Sequence, residues 1–542
     1  MSKSTPNIGN LYPDSAPGTK FSLDLFRNPT GHYRGAPFWA WNNDLPEKQV
    51  MDQIDTFKEM GFGGFHIHAR TGLGVPYLSE EFMNLVRKSI NRGKEHGMLS
   101  WLYDEDRWPS GAAGGLVPKK NPEFRAKQLL WTTTKYGDPV PPDEFPPFKN
   151  YFPNRTGNGF LIARYYVVLD DEGRLKSYRR LKDDEDEHAF GNKGLDGRLW
   201  YAYQEYQAPS DWYNGQTYVD TLNKDAMREF LNTTHEVYYD NVGDEFAKSI
   251  PAIFTDEPQF IHKYTFEDGR TTQECFLPWT TDFPQTFKEY YGYEFLERLP
   301  EVFWNLSEDT ASLARYHFHD HICERFVSSH PDIIGNWCQD HNINLTGHMM
   351  HEETLQTQTE ALGEVMRCYR SFTLPGIDIL QDRQEYTTAK QAQSVAHQYG
   401  RPGLMCELYG VTDWDFDFVG HKRQGDWLAC LGITTRVPHL TWVTMRGEAK
   451  RDYPACIGYQ SPWYKEYSLV EDYFARVGTV LTRGTPVVRI GVIHPIESYW
   501  LAFGPWLNTK GERHQRQKDF DDLIRWLMFE MLDFDYISES ML

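Results

Sequence analysis

Glu257 closes the stretch Phe254-Thr-Asp-Glu-Pro258, and Glu407 follows the apolar run Leu404-Met405-Cys406. Each carboxylate stands where a short apolar segment runs out into polar residues, as a side chain at the mouth of a strand would. Two carboxylates facing each other across a sugar ring could divide acid–base work. One would protonate a leaving oxygen, while the other attacks carbon or activates water. Asp256, next to Glu257, would raise the pKa of its neighbour and keep it protonated. The competing reading is structural, with either Glu in a salt bridge to an arginine such as Arg70 or Arg107.

Further polar and aromatic groups occupy equivalent places at the ends of apolar runs: Trp41, Asn42, His66, His68, Asp104, Glu105, Asp106, Asp256, His348, Asp378 and His439. Trp41 and Trp101 could form a platform for a sugar face, or could simply pack a core. Strand alternation puts Trp39 and Trp41 on one side. His66-Ile-His68 has the spacing of metal-dependent amidohydrolases, and neutral imidazoles from converging strands could hold zinc. Hydrogen bonding to sugar hydroxyls explains the same histidines without a metal. Asp104, Glu105 and Asp106 could offer oxygens to calcium, but sugar hydroxyls or Arg107 are the simpler partners.

These positions need a scaffold that brings strand ends together. From residue 36 to 444 an amphipathic helix ending in Gly or Asn alternates with a short apolar strand. The strands are read at Ala36 to Trp41, Phe62 to His68, Met98 to Tyr103, Pro251 to Thr255, Ile343 to Thr346, Gly376 to Leu380, Gly403 to Cys406, and Pro438 to Val443. Eight such units predict an α/β fold, a (β/α)8 TIM barrel, with its reacting groups on the loops after the strands. No Gly-rich phosphate fingerprint follows a strand, which counts against an open doubly wound sheet.

The rhythm breaks over about 116–220, read as a β-rich insertion after the third strand; its acidic run Asp183 to Glu187 reads as a solvated loop. The expected layout is a polar N-terminal leader over 1–30, a catalytic barrel over 31–485, and the start of a second α/β domain over 486–542. The roughly 55 residues of that last part are too few to complete such a domain, so a truncated fragment or a much reduced appendage is expected.

The net charge of −21 works against nucleic acid or an anionic membrane as partner and favours an uncharged substrate. Aromatic residues make up 15% of the chain, which suits either sugar stacking or a large core. The seven cysteines are scattered, with no Cys-x-x-Cys pair, so neither a zinc ribbon nor a disulfide framework is predicted. Met1 to Lys20 carries no apolar leader segment and no stretch approaches a membrane span, so a cytoplasmic location is expected.

Several blocks together resemble a known family. They are Pro37-Phe-Trp-Ala-Trp-Asn42, Gly61-Phe-Gly-Gly64, Trp101-Leu-Tyr-Asp-Glu105 with Trp108-Pro-Ser-Gly111, Phe254-Thr-Asp-Glu-Pro258 and Cys406-Glu-Leu-Tyr-Gly410. Asp426-Trp427, Pro438-His439 and Ile493-His-Pro-Ile-Glu497 follow in the same order. The pattern resembles the α-L-rhamnosidases of glycoside hydrolase family 106. The resemblance implies a TIM barrel, then an amidotransferase-like α/β domain and β-sandwich modules. It implies acid catalysis by Glu257 and a second essential carboxylate, carried onto Glu407, with Glu352 or Glu353 as a third. It also implies inversion, and calcium in sugar binding with ligands that the motifs do not locate.

The sequence therefore predicts a glycoside hydrolase acting on the terminal deoxyhexose of a glycoside or oligosaccharide, such as α-L-rhamnose. Glu257 and Glu407 would be catalytic, and Trp41, Asn42, His66, His68, Asp104, Asp106, His348, Glu353, Asp378 and His439 would bind substrate. A metal-dependent amidohydrolase-type barrel, or a carbohydrate-binding barrel without turnover, are the alternatives.

Overall fold

The computed structural model describes residues 11–15, 19–139, 154–186, 197–308 and 310–542. Much of the expected leader (1–10 and 16–18), two stretches of the expected insertion (140–153 and 187–196) and Glu187 of the acidic run lie outside the described residues.

The fold is mixed α/β, organised around a curled parallel sheet of nine strands. In chain order these are β1 (Phe38–Asn43), β2 (Gly64–Leu73), β3 (Leu99–Asp106), β8 (Ala252–Asp256), β10 (Asn344–His348), β11 (Leu374–Ile379), β12 (Leu404–Leu408), β13 (Ile433–Pro438) and β14 (Thr441–Trp442). Their spatial order is β13-β12-β11-β10-β8-β3-β2-β1-β14, parallel throughout. The two end members are successive stretches of one segment, so the sheet curls back on itself. Asn42 ties this return: its amide donates to the Thr444 carbonyl at 2.8 Å, and the Thr444 N–H donates to its oxygen at 3.1 Å.

Strand positions follow the sequence pattern closely except at the last. Pairing there begins at Ile433, earlier than the expected Pro438. The stretch Ile433-Thr-Thr-Arg-Val lacks an apolar run, but its β-branched residues suit an extended strand. Pro438 ends the first stretch, having no N–H to give a ladder. Two helices lead into β10, Leu313–Ser329 and Pro331–Asp340, the second starting at its proline.

Alternation along the strands separates two packed layers. Phe38, Trp101, Tyr103, Phe254, Met405 and Val437 share one cluster inside the curl. Trp39, Trp41, Phe65, Ile67, Leu102 and Ile253 belong to the larger core reaching the surrounding helices. Trp41 lies edge-on to Trp39 and to Phe82 of the helix Glu80–Glu95, with ring centroids 5.4 and 5.3 Å away.

Between β3 and β8 run the antiparallel strands β4 (Lys127–Thr132), β5 (Phe160–Leu169), β6 (Leu175–Leu181) and β7 (Gly197–Tyr206). A fifth, β9 (Cys275–Trp279), joins them by pairing with β4, although it follows β8 in the chain. The loop after β8 is long enough to return to this small sheet, a connection outside the range 116–220. Near the C-terminus β15 (Gly491–Ile493) and β16 (Asp535–Ile537) pair in parallel around the helix Trp506–Phe529. They pack on the helix Tyr386–Gln398: His494 Nε2 lies 2.8 Å from Gln391 Oε1, and His397 Nδ1 lies 2.9 Å from Asp535 Oδ1. Among the described residues no helix is long and apolar enough to cross a membrane.

Candidate active site

The inward-facing residue at the end of each parallel strand tops the packed interior, so polar groups gather there. Asp256 ends β8 and pairs in register with His348 at the end of β10; Asp378 of β11 pairs with Glu407 of β12. His439 follows β13, and Arg70 lies in β2 four residues beyond His66. Together with Glu257, Trp108, Leu380 and Tyr453 they line one open cleft.

Strict alternation would turn Glu257 away from the cleft that Asp256 enters. Its φ of +46° breaks the strand instead and returns the side chain to the same mouth. A left-handed backbone at a non-glycine residue is costly and concentrates at sites where orientation matters. The Glu257 N–H donates to the His348 carbonyl at 3.1 Å, which fixes the turn.

The two glutamates have different surroundings. Burial, followed by the Asp256 carboxylate, pushes Glu257 up to about 8, so it carries a proton at neutral pH. Burial also raises Glu407, but His348 pulls it back: His348 Nε2 lies 2.8 Å from Glu407 Oε2 and 3.4 Å from Asp256 Oδ1. Burial works against a charge on His348, yet that hydrogen bond and the nearby carboxylates hold its pKa well above the usual imidazole range. His348 and Glu407 thus form an imidazolium–carboxylate pair, with the neutral His439 at 3.6 Å from the other Glu407 oxygen. Among the described residues neither Glu257 nor Glu407 has an arginine or lysine ion-pair partner; Arg70 bonds Asp452 through two nitrogens at 2.9 and 3.1 Å.

The Trp108 loop is welded to this centre. The Ser110 hydroxyl donates to Asp104 at 2.6 Å and accepts the Asp256 N–H at 2.8 Å. Glu105 accepts the N–H groups of Asp106, Gly111, Ala112 and Ala113 at 2.8–2.9 Å and also that of Gly114. The Tyr103 hydroxyl reaches Asp256 Oδ2 at 2.5 Å.

Of the residues expected at the site, Glu257, Glu407, His348, Asp378 and His439 come together at the cleft. The others do not line it. Trp41 is wholly buried on the helix side of the sheet, because its position in β1 points outward. Asn42 is engaged with Thr444. His66 lies deep inside the curl, its Nδ1 2.9 Å from the Ala36 carbonyl and its ring stacked on Trp101. His68 sits above it, 2.8 Å from Arg70. Asp104 faces outward, 3.9 Å from His235 Nε2. Asp106 bonds Arg107 and Asn214, both at 3.2 Å. Glu352 is buried, accepting the Met349 N–H at 2.9 Å and the Tyr369 hydroxyl, while Glu353 lies near His351, 3.5 Å away. Neither His66 nor His68 is in the close carboxylate–histidine groups.

Arg70, Trp108, Leu380 and Tyr453 also line the cleft, outside the residues the sequence predicts to bind, although a stacking role is open to Trp108. The first was legible in the alternation of His66, His68 and Arg70 along β2, and the second in the Trp-Pro-Ser-Gly block. Nothing local marks Tyr453.

The family model described as alpha-L-rhamnosidase, glycoside hydrolase family 106, matches residues 208–494, more than half of the chain and including both glutamates. The chain belongs to this family. Among curated proteins no sequence matches. Solved structures place the family fold: a rhamnosidase from Novosphingobium sp. PP1Y superposes with a TM-score of 0.60 at 14% identity, over 87% of this chain and 61% of that one. A beta-galactosidase from the psychrophilic Marinomonas ef1 follows at TM-score 0.51 and 10% identity, over 93% of this chain and 70% of that one. The chain thus spans about 61% of the length of the Novosphingobium rhamnosidase. At these identities the likeness is one of fold.

Proposed function

We propose that the chain is the catalytic part of an exo-acting glycosidase that removes a terminal deoxyhexose, α-L-rhamnose being the first candidate, and that its curled sheet works as a closed (β/α)8 barrel. The observation that carries this is the meeting of Glu257 and Glu407 in one cleft, Glu257 pushed up to about 8 and Glu407 hydrogen-bonded to His348. Membership of a rhamnosidase family supports the choice of sugar.

Glu257 protonates the glycosidic oxygen as the bond to the leaving group breaks. Glu407, ionised by its pairing with His348, takes a proton from water as that water attacks the anomeric carbon from the opposite face, and the configuration inverts. Arg70, Trp108 and Tyr453 line the space for the ring and its hydroxyls.

The calcium implied by the family likeness suits the donor set. Asp256 and Glu407 with His348, and Glu257 and Asp378 with His348, each bring one donor atom apiece within 4.8 Å of one another. Among the described residues Asp378 Oδ1 is buried without a hydrogen-bond partner. Hard carboxylate oxygens suit calcium, and a protonated His348 leaves the oxygens as the ligands. Calcium held there through Asp378 would gather sugar hydroxyls.

A panel of aryl glycosides, with NMR of the first-formed anomer, tests the proposal. Turnover of aryl α-L-rhamnoside to the inverted sugar is expected. Sugar binding with no turnover of any glycoside would leave a binding barrel instead.

A further inference from the structure

A second, larger hollow of about 330 Å3 opens beyond the ends of β2 and β3. It has no role in the chemistry above. Tyr77 and Leu116 give it apolar faces, while Asp106, Asn214 and Gln216 give it polar ones, the mixture that a pyranose with apolar C–H faces and hydroxyl edges requires. Among the described residues the Gln216 amide and the Lys119 ammonium, both on its wall, have no side-chain hydrogen-bond or ion-pair partner.

Its position relative to the cleft is fixed by the chain. Asp106 lines the hollow and Trp108 lines the cleft, and two residues of backbone span at most about 7 Å. The half-exposed Trp212 bridges the interval, its ring 5.6 Å from that of Trp108 and its Nε1–H donating to the Trp108 carbonyl at 2.5 Å. Arg107 lies over the other part of this strip, 5.5 Å from the Trp212 ring. The wall between the two spaces is stiff, because Glu105 gathers the N–H groups from Gly111 to Gly114. Gly115, with φ of +90°, keeps part of that wall bare: a Cβ there would come 2.2 Å from the Tyr213 carbonyl.

We propose that this hollow is a distal glycan subsite, which holds a further sugar residue of the oligosaccharide whose terminal sugar occupies the Glu257–Glu407 cleft, the Trp108–Trp212 strip carrying the chain between them. This rests on the glycosidase reading and specifies its substrate as an oligosaccharide rather than a simple glycoside.

The test uses the full chain carrying Glu257→Gln, titrated calorimetrically with methyl α-L-rhamnoside and with a tetrasaccharide bearing a terminal α-L-rhamnose. The tetrasaccharide is expected to bind more tightly. Adding Gln216→Ala and Lys119→Ala, which alter partnerless surface groups, should weaken the tetrasaccharide about five- to tenfold and leave the monosaccharide unchanged. Equal affinity for the two ligands, equal weakening of both, or no effect of the two substitutions would each overturn the subsite. Wild-type turnover of the tetrasaccharide and of a panel of aryl glycosides is measured in parallel. No turnover of any of them removes the glycosidase reading, whereas turnover with an unextended affinity removes the subsite alone.

Discussion

His348 Nε2 stands 2.8 Å from Glu407 Oε2, across two strand positions of the sheet. The contact fixes which carboxylate in the cleft is ionised. Glu407 is hydrogen-bonded to His348, whereas Glu257 has the Asp256 carboxylate as its neighbour and, among the described residues, no basic side chain bonded to it. The division between a proton donor and a proton acceptor follows from this asymmetry.

Glu257→Gln keeps the shape of the side chain but removes its proton. Turnover of a natural oligosaccharide should fall by roughly 10²–10⁴-fold. An aryl glycoside with an acidic phenol leaving group needs less protonation and should lose much less. Steady-state kinetics on both substrates would show it; equal losses would mean that Glu257 is not the acid.

The pH profile of kcat/KM should be bell-shaped. Glu257 must be protonated, so activity falls as pH rises through about 8. Glu407 must be ionised, and since its pKa is raised, activity falls as pH drops at a value above that of an ordinary glutamate. His348→Ala removes the partner that lowers Glu407, so the acidic limb should move to higher pH. An unmoved limb would detach His348 from the base.

Glu105→Ala should destabilise the fold rather than the chemistry alone. Five N–H groups lose their acceptor, and with partial rescue by water the loss should be about 2–4 kcal/mol in urea unfolding. The Trp108 loop should loosen, raising KM. A variant as stable as wild type would show that the loop holds itself.

Trp41→Phe distinguishes core from platform. The residue is wholly buried against Trp39 and Phe82, so the smaller ring should cost about 1–3 kcal/mol through the space left behind. The KM of the folded fraction should not change. A large rise in KM at unchanged stability would return Trp41 to the binding surface.

Calcium should raise the melting temperature by mass action on the folded state, and Asp378→Asn should remove most of that gain. No calcium-dependent shift in wild type would take the ion out of the site.

Much of this architecture is legible before folding is considered. The alternation of amphipathic helices with short apolar strands locates seven of the parallel strands closely, and the rule that polar groups at strand ends reach a common mouth yields Glu257, His348, Asp378, Glu407 and His439. The eighth strand is legible only in part, because Thr434, Thr435 and Arg436 hide an extended segment from a search for apolar runs. Arg436 is buried by its pairing with Glu471 at 2.7 Å, a partner 35 residues away.

The sequence by itself determined which residue types stand at the ends of strands, because periodicity and local composition are properties of neighbouring residues. Only the tertiary structure decided which of them face one another. The strand phase sent Trp41 and Asp104 outward and kept His66 in the interior, and the left-handed turn at Glu257 reversed the direction alternation would have imposed. Contacts such as Arg70 with Asp452, 382 residues apart, the burial that raises Glu257 and the His348 contact that lowers Glu407 depend on segments brought together only when the sheet curls.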